Sequence, residues 1–372
     1  MPEIKNKNII ILLKSFALGG AERQALSLAG TLQNEKNCRV YIYSYLPSSS
    51  RETFDKECKK LGLKHLFVVS NPLSASGNFK YLKRRVKIAL FGLKLRKHKP
   101  NIIIPYLNPP SIIASLCSKI AGAKTTFWHH RGVDYYRGDL LEQKAISKTK
   151  VFIANSENGK KELEERLKVH SEKVFTIPNF SIIKQGISNP FQGNITIGMV
   201  SHFRKEKYQE LLIDSFIELY KTIKNIQLVL VGDVIENDAE VSSYANVVEK
   251  IETNGLEDVV TIHHKTSAEE ILPKLTIGVL LSENEGMPNT VMEYMAYKLP
   301  VVATNHPGCK QLLGAANNFL VSNSKEEVIE KLNDLIVSEA LRENEGIKNF
   351  NRLNDAFSMS NYIHKLENIL YN

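Results

Sequence analysis

Two carboxylates, Glu285 and Glu293, stand with seven residues between them around Gly286, Pro288, Asn289 and Thr290. Gly286 and Pro288 break the chain, and Pro288 suits the first turn of a helix, where a missing N–H is no loss. A helix beginning at Asn289 and Thr290 offers backbone amides and the positive end of its dipole, a setting for an anion such as a diphosphate. Glu293, about one turn further in, can accept hydrogen bonds from vicinal hydroxyls such as those of a ribose. Glu285 stands ahead of the turn. Together these residues read as a clamp for a nucleotide-sugar; a helix start with incidental acids is the plainer alternative.

Other residues suited to chemistry are scattered. Gly19 and Gly20 follow an apolar run, and glycine lets a backbone approach a phosphate closely. A G-x-G-x-x-G fingerprint is absent, which disfavours a dinucleotide-dependent oxidoreductase. Trp128-His129-His130-Arg131-Gly132 places two imidazoles and a guanidinium at the end of another apolar run. No pair of Asp residues forms a D-x-D arrangement, and no metal site is expected. Cys38, Cys58, Cys117 and Cys309 are widely spaced, without a CxxC pair, and read as buried reduced thiols.

Elements able to position these groups alternate along the chain. Strands are expected at Ile9–Leu13, Arg39–Tyr45, His65–Val69, Ile102–Tyr106, Thr125–His129, Val151–Ala154 and Val174–Ile177. A second series is expected at Ile195–Val200, Gln227–Val231, Val259–His263, Ile277–Leu281 and Val301–Ala303. Helical patterns between them include Ala21–Gln33, Lys80–Lys97, Ser111–Ala121 and Glu157–Leu167. Alternation of this kind is the pattern of parallel sheets with crossover helices. The stretch Ser181–Gly193, with Gly186, Asn189, Pro190 and Gly193, reads as an interdomain linker. The expected fold class is α/β, with two doubly wound domains over 1–185 and 194–354. Ligands of such sheets sit beyond the carboxyl ends of the strands, so two of them would enclose a cleft there.

The 372 residues, 43% apolar and 24% charged, suit a two-domain globular protein. No apolar run approaches the ~18 residues that span a bilayer, and the start of the chain lacks the pattern of a secretory signal. A cytoplasmic location is therefore expected. The net charge of +9 is divided unevenly: residues 1–185 carry +19 and the remainder −10, and no acidic residue lies between Glu57 and Asp134, against 15 basic ones. The basic half suits an anionic partner. Lys80–Lys97 places Leu82, Val86, Leu90 and Leu93 on one helical face among lysines and arginines. That pattern suits a membrane surface, or alternatively a packed helix with a solvated basic face. Nucleic acid is disfavoured, because only Tyr81 and Phe91 interleave the basic run.

The Glu285/Glu293 segment, S-x-x-E-G-x-P-N-x-x-x-E-x-M-A, resembles the E-x7-E signature of glycosyltransferase family 4. Ala17-Leu18-Gly19-Gly20-Ala21-Glu22-Arg23 resembles the family's first glycine loop. Further matches are Asn155-Ser156-Glu157, Ile177-Pro178-Asn179, Leu228-Val229-Leu230-Val231-Gly232-Asp233 and Pro300-Val301-Val302-Ala303-Thr304, so the likeness extends over nearly the whole chain. The resemblance implies a GT-B fold, two Rossmann-like domains facing across a cleft, with the C-terminal helix (355–372) crossing back to the first domain. It implies an acceptor-binding first domain and a nucleotide-sugar-binding second one, and a retaining, metal-independent transfer.

Residue roles follow from the resemblance. Gly19 and Gly20 would flank the donor diphosphate and the acceptor. Lys207 matches the cation that neutralises the leaving diphosphate; the companion arginine position holds His202, with Arg204 a shifted candidate. Either His129 or His130 would lie near the reacting sugar, and Arg131 is a candidate for an acceptor phosphate. Glu285 would meet the transferred sugar's hydroxyls, while Gly286, Asn289, Thr290 and Glu293 would hold the nucleotide. Departures fall at Pro307-Gly308-Cys309-Lys310-Gln311 and at His263-His264, near the expected base, which leaves UDP and GDP both open. The implied reaction moves a hexose or N-acetylhexosamine from a UDP- or GDP-sugar to a saccharide acceptor. That acceptor is lipid-linked on this reading, at the inner face of the cell membrane, in surface polysaccharide assembly. The alternatives are a catalytically silent GT-B scaffold and a nucleotide-sugar epimerase.

Overall fold

The computed structural model describes residues 3–48, 51–131, 138–183, 194–234, 238–283 and 285–371. Most of the expected linker Ser181–Gly193, and Gly132 of the His-His-Arg segment, lie outside these residues. The chain divides into two compact units, Met1–Ile182 with Met359–Asn372, and Ile183–Ser358.

In the first unit the strands are β1 (Asn8–Ser15), β2 (Arg39–Leu46), β3 (Leu66–Val68), β4 (Ile102–Pro105), β5 (Thr125–Thr126), β6 (Trp128–His130), β7 (Phe152–Ala154) and β8 (Val174–Thr176). They form parallel sheets in the orders β3-β2-β1-β4-β5 and β6-β7-β8. The helices are α1 (Gly20–Asn34), α2 (Arg51–Lys60), α3 (Lys80–Arg96), α4 (Asn108–Ala121), α5 (Leu140–Lys148) and α6 (Glu157–Glu165). Helices cover both faces of the five-stranded sheet, so Ile9 to Leu13 of β1 are all fully buried. The single strand expected over Thr125–His129 is two: the chain leaves β4's side at Phe127 and pairs with β7 instead.

The second unit carries β9 (Ile195–Val200), β10 (Ile226–Val231), β11 (Val260–His263), β12 (Ile277–Leu280), β13 (Val301–Thr304) and β14 (Leu320–Val321). Their order, β11-β10-β9-β12-β13-β14, all parallel, is the dinucleotide-fold order. The helices are α7 (Gln209–Thr222), α8 (Asp238–Thr253), α9 (Ala268–Ile271), α10 (Asn289–Ala296), α11 (Pro307–Leu313), α12 (Lys325–Val337) and α13 (Glu339–Ala356). Pro288 caps α10 from outside rather than standing in its first turn. The last helix, α14 (Met359–Tyr371), belongs to the first unit. It buries Tyr362, Ile363 and Leu366 in the core beside β1 and β4, and Glu367 accepts a 2.7 Å bond from the Ile4 amide.

Candidate active site

In the second unit the chain builds outward from β9 to β11 on one side and from β12 to β14 on the other. The carboxyl ends of β9 and β12 therefore flank the switch point, where open sheets of this type bind ligands. The sequence keeps this junction tight with two glycines. A Cβ on Gly278 would stand 2.6 Å from the Tyr294 ring, and one on Gly198 would stand 2.4 Å from Leu275. The Tyr294 hydroxyl accepts from the Val200 amide at 2.8 Å and lies 3.2 Å from the Gly198 and Val279 carbonyls. Thr290 donates to the Val200 carbonyl at 3.3 Å. Helix α10 is thus pinned by its own side chains at the ends of both strands.

The loops leaving these strands meet. The Glu283 amide donates to the Glu206 carbonyl at 2.8 Å, and the Lys207 ammonium forms an ion pair with the Glu285 carboxylate. Both side chains are mostly buried, 18% and 16% exposed, so water screens the pair weakly. The Glu285 amide donates to His306 Nε2 at 2.9 Å, and the Gly308 amide approaches His306 Nδ1 at 3.1 Å. Burial, which outweighs the opposite pull of the Glu285 carboxylate, lowers the His306 pKa from 6.5 and so favours a neutral ring able to accept. Gly308 fits because a Cβ there would meet the Gly286 carbonyl at 2.3 Å. Glu293 is buried, 5% exposed, and its charge contributes to raising the Tyr294 and Tyr297 phenols, behind burial itself.

Arg204 does not join the Lys207–Glu285 pair. Its guanidinium lies 3.6 Å from Glu206 in the same loop. The exposed His202 accepts from the Asp233 amide at 3.2 Å. His264 lies 2.8 Å from the Gly232 carbonyl and 3.2 Å from the Tyr244 hydroxyl, so one of the two histidines near the expected base is held in place.

In the first unit the two adjacent histidines part company, because successive residues of a strand point to opposite faces. His130 turns to α6, where Nε2 meets Glu162 at 3.0 Å. His129 turns the other way: Nδ1 lies 3.1 Å from the Pro105 carbonyl, and Nε2 lies 3.2 Å from Arg131 Nη1. Arginine only donates, so Nε2 carries the lone pair and Nδ1 the proton. Arg131 also donates to Asn179 at 2.5 Å and lies 4.9 Å over the Tyr106 ring. Glu22 feels the Arg131 charge, although burial raises its pKa overall. A Cβ on Gly19 would stand 2.9 Å from Glu22 Oε2, so the Glu22 side chain folds back over that glycine.

Burial, and next Arg131, hold His129 well below its usual 6.5. A neutral buried ring favours folding above pH 6.5, and this contribution is lost as pH falls from there toward the folded-state pKa. Between roughly pH 7.5 and 5.5 the unfolding free energy should drop, with one such ring contributing at most about 1.4 kcal/mol per pH unit. Urea titrations of wild type and His129→Gln should show the shallower dependence in the variant.

The sequence missed His306 and Tyr106 as members of these clusters, and Glu22 and Asn179 entered only as parts of motifs. His306 had no signal beyond its place after β13. Among the described residues, no group of three or more His, Cys, Asp or Glu side chains is placed to hold a metal ion.

Residues 18–181 match the model described as Glycosyltransferase Family 4, and residues 181–352 match that of Glycosyl transferases group 1. The chain belongs to glycosyltransferase family 4. A capsular polysaccharide biosynthesis glycosyltransferase, CapM of Staphylococcus aureus, is 28% identical over 182 residues, 48% of this chain and 46% of that protein. The chain thus matches about half the length of that relative. An uncharacterized glycosyltransferase of Haemophilus influenzae is 22% identical over 86% of this chain and 87% of its own length. Among solved structures, Anabaena Alr3699/HepE in complex with UDP and glucose superposes with a TM-score of 0.77 at 17% identity, covering 97% of this chain and 98% of that one. That likeness gives the family 4 chain its GT-B fold.

Proposed function

We propose that this protein moves a hexose or N-acetylhexosamine from a UDP- or GDP-sugar to a saccharide acceptor, retaining the anomeric configuration and using no metal. The second unit takes the donor and the first unit takes the acceptor, a lipid-linked saccharide at the inner face of the cell membrane, in assembly of a bacterial-type surface glycan. The observation that carries this reading is the Lys207–Glu285 pair beside the start of α10, at the carboxyl ends of β9 and β12. Its support from relatives is the capsule role in the name of CapM and the UDP and glucose bound by HepE.

Lys207 meets the diphosphate of the donor and offsets the charge it gains on departure. Glu285 holds Lys207 in place and accepts from hydroxyls of the transferred sugar. Asn289 and Thr290 offer first-turn amides to the diphosphate, with Gly286 allowing its approach, and Glu293 accepts from the ribose. On one face of the sugar the bond from the anomeric carbon to the phosphate oxygen breaks and the bond to the acceptor oxygen forms. The leaving phosphate takes the acceptor's proton. In the first unit, Arg131, oriented by His129 and Asn179, holds an anionic group of the acceptor.

Thermal unfolding against UDP, GDP, ADP and their sugars tests the donor assignment. One uracil or guanine nucleotide at 100 times its dissociation constant should stabilise the native state by about 2.7 kcal/mol. Glu293→Ala should remove most of that shift. A chain whose midpoint moves with none of them is not the transferase described.

A further inference from the structure

Helix α3 carries two apolar faces. The inward face, Ile88, Phe91, Gly92 and Leu95, is buried and packs in the same core as Ile113 and Cys117 of α4. A Cβ on Gly92 would stand 3.1 Å from the Cys117 carbonyl, so the contact with α4 is close. The face singled out by the sequence pattern is the other one. Leu82, Val86, Leu90 and Leu93 are 56%, 51%, 60% and 53% exposed, and Phe79 just ahead of the helix is 77% exposed. At 100° per residue the four side chains form a stripe about 80° wide and about 16 Å long. Lys83, Lys87 and Lys94 line one edge, and Arg85 and Arg96 line the other.

Helix α3 is thus packed on one side, and its solvated side carries both the basic residues and an apolar row between them. Monomeric proteins seldom leave such a row uncovered without a use for it. We propose that this face docks on an anionic lipid surface, the leucines and valine seated below the headgroups and the lysines and arginines among the phosphates. Charge selects this occupant. Helix α3 contains no acidic residue, and none lies between Glu57 and Asp134, so a second copy of the same face would meet it with like charges. The helix is already packed against α4 through its other face, so docking needs no coupled folding. Among the described residues no helix is long and apolar enough to cross a membrane, which leaves contact from the surface. The inference deepens the reading of a lipid-linked acceptor and rests on it for its purpose.

Sedimentation of the full chain with vesicles tests it, using phosphatidylcholine alone or with phosphatidylglycerol added. Wild type should partition at least tenfold more onto the anionic vesicles, and added salt should weaken this. Replacing the stripe with serine (Leu82→Ser, Val86→Ser, Leu90→Ser, Leu93→Ser) should lower partition at least tenfold. These side chains are exposed, so circular dichroism and the nucleotide-induced thermal shift should stay as in wild type. Equal binding to both vesicles overturns the proposal, as does retained binding by the serine variant. Self-association of wild type that the serine variant abolishes, seen by light scattering, overturns it in favour of a second copy. Vesicle binding in a protein that no nucleotide stabilises would instead sink the transferase reading and leave the docking face standing.

Discussion

Replacing Glu285 by glutamine should slow sugar transfer by at least about a hundredfold. The isosteric amide keeps the Glu285 backbone on His306 and keeps the side chain beside Lys207. It removes the negative charge paired with the Lys207 ammonium, which on the proposed function faces the departing diphosphate. Loss of one preorganised electrostatic contact at a reacting centre commonly lowers kcat by about 10²–10³-fold. Nucleotide affinity should change less than kcat, because Lys207 remains to meet the phosphates. Initial rates with the donor identified by thermal shift, measured across acceptor concentration, check the division between kcat and KM. An unchanged kcat would remove Glu285 from the chemistry.

Lys207→Met should act on binding as well as on rate. A hydrogen bond to a charged group contributes about 1.5–3 kcal/mol, so nucleoside diphosphate affinity should fall by roughly 10- to 150-fold. The variant also leaves the Glu285 carboxylate, only 16% exposed, without its cation, and some stability should be lost with it. Because the two side chains act as one unit, Lys207→Met combined with Glu285→Gln should reduce the rate by less than the product of the separate effects.

Much of this was legible in the sequence for identifiable reasons. Ile195–Val200 and Ile277–Leu281 read as buried parallel strands because nearly every residue in them is apolar, and Glu285 and Glu293 stood out by their spacing around a helix start. The pairing of Lys207 with Glu285 was not legible, since it joins loops 78 residues apart that meet only once β9 and β12 lie side by side. The roles of His129 and His130 could not be separated either. Their directions depend on β6 joining β7, after a break at Phe127 that the continuous run from Thr125 hid. In α3 the sequence pattern singled out the face of Leu82, Val86, Leu90 and Leu93, and only the packing of Ile88, Phe91 and Leu95 shows that the covered face is a different one.

A diphosphate site at Lys207 is tested by calorimetric titration of the stabilising nucleotide-sugar into wild type and Lys207→Met, with chelator present. Wild type should bind saturably with the chelator making no difference, and the dissociation constant should be at least tenfold higher in the variant. Equal affinities in the two proteins, or binding that vanishes with the chelator, would contradict a diphosphate held by Lys207 at the ends of β9 and β12.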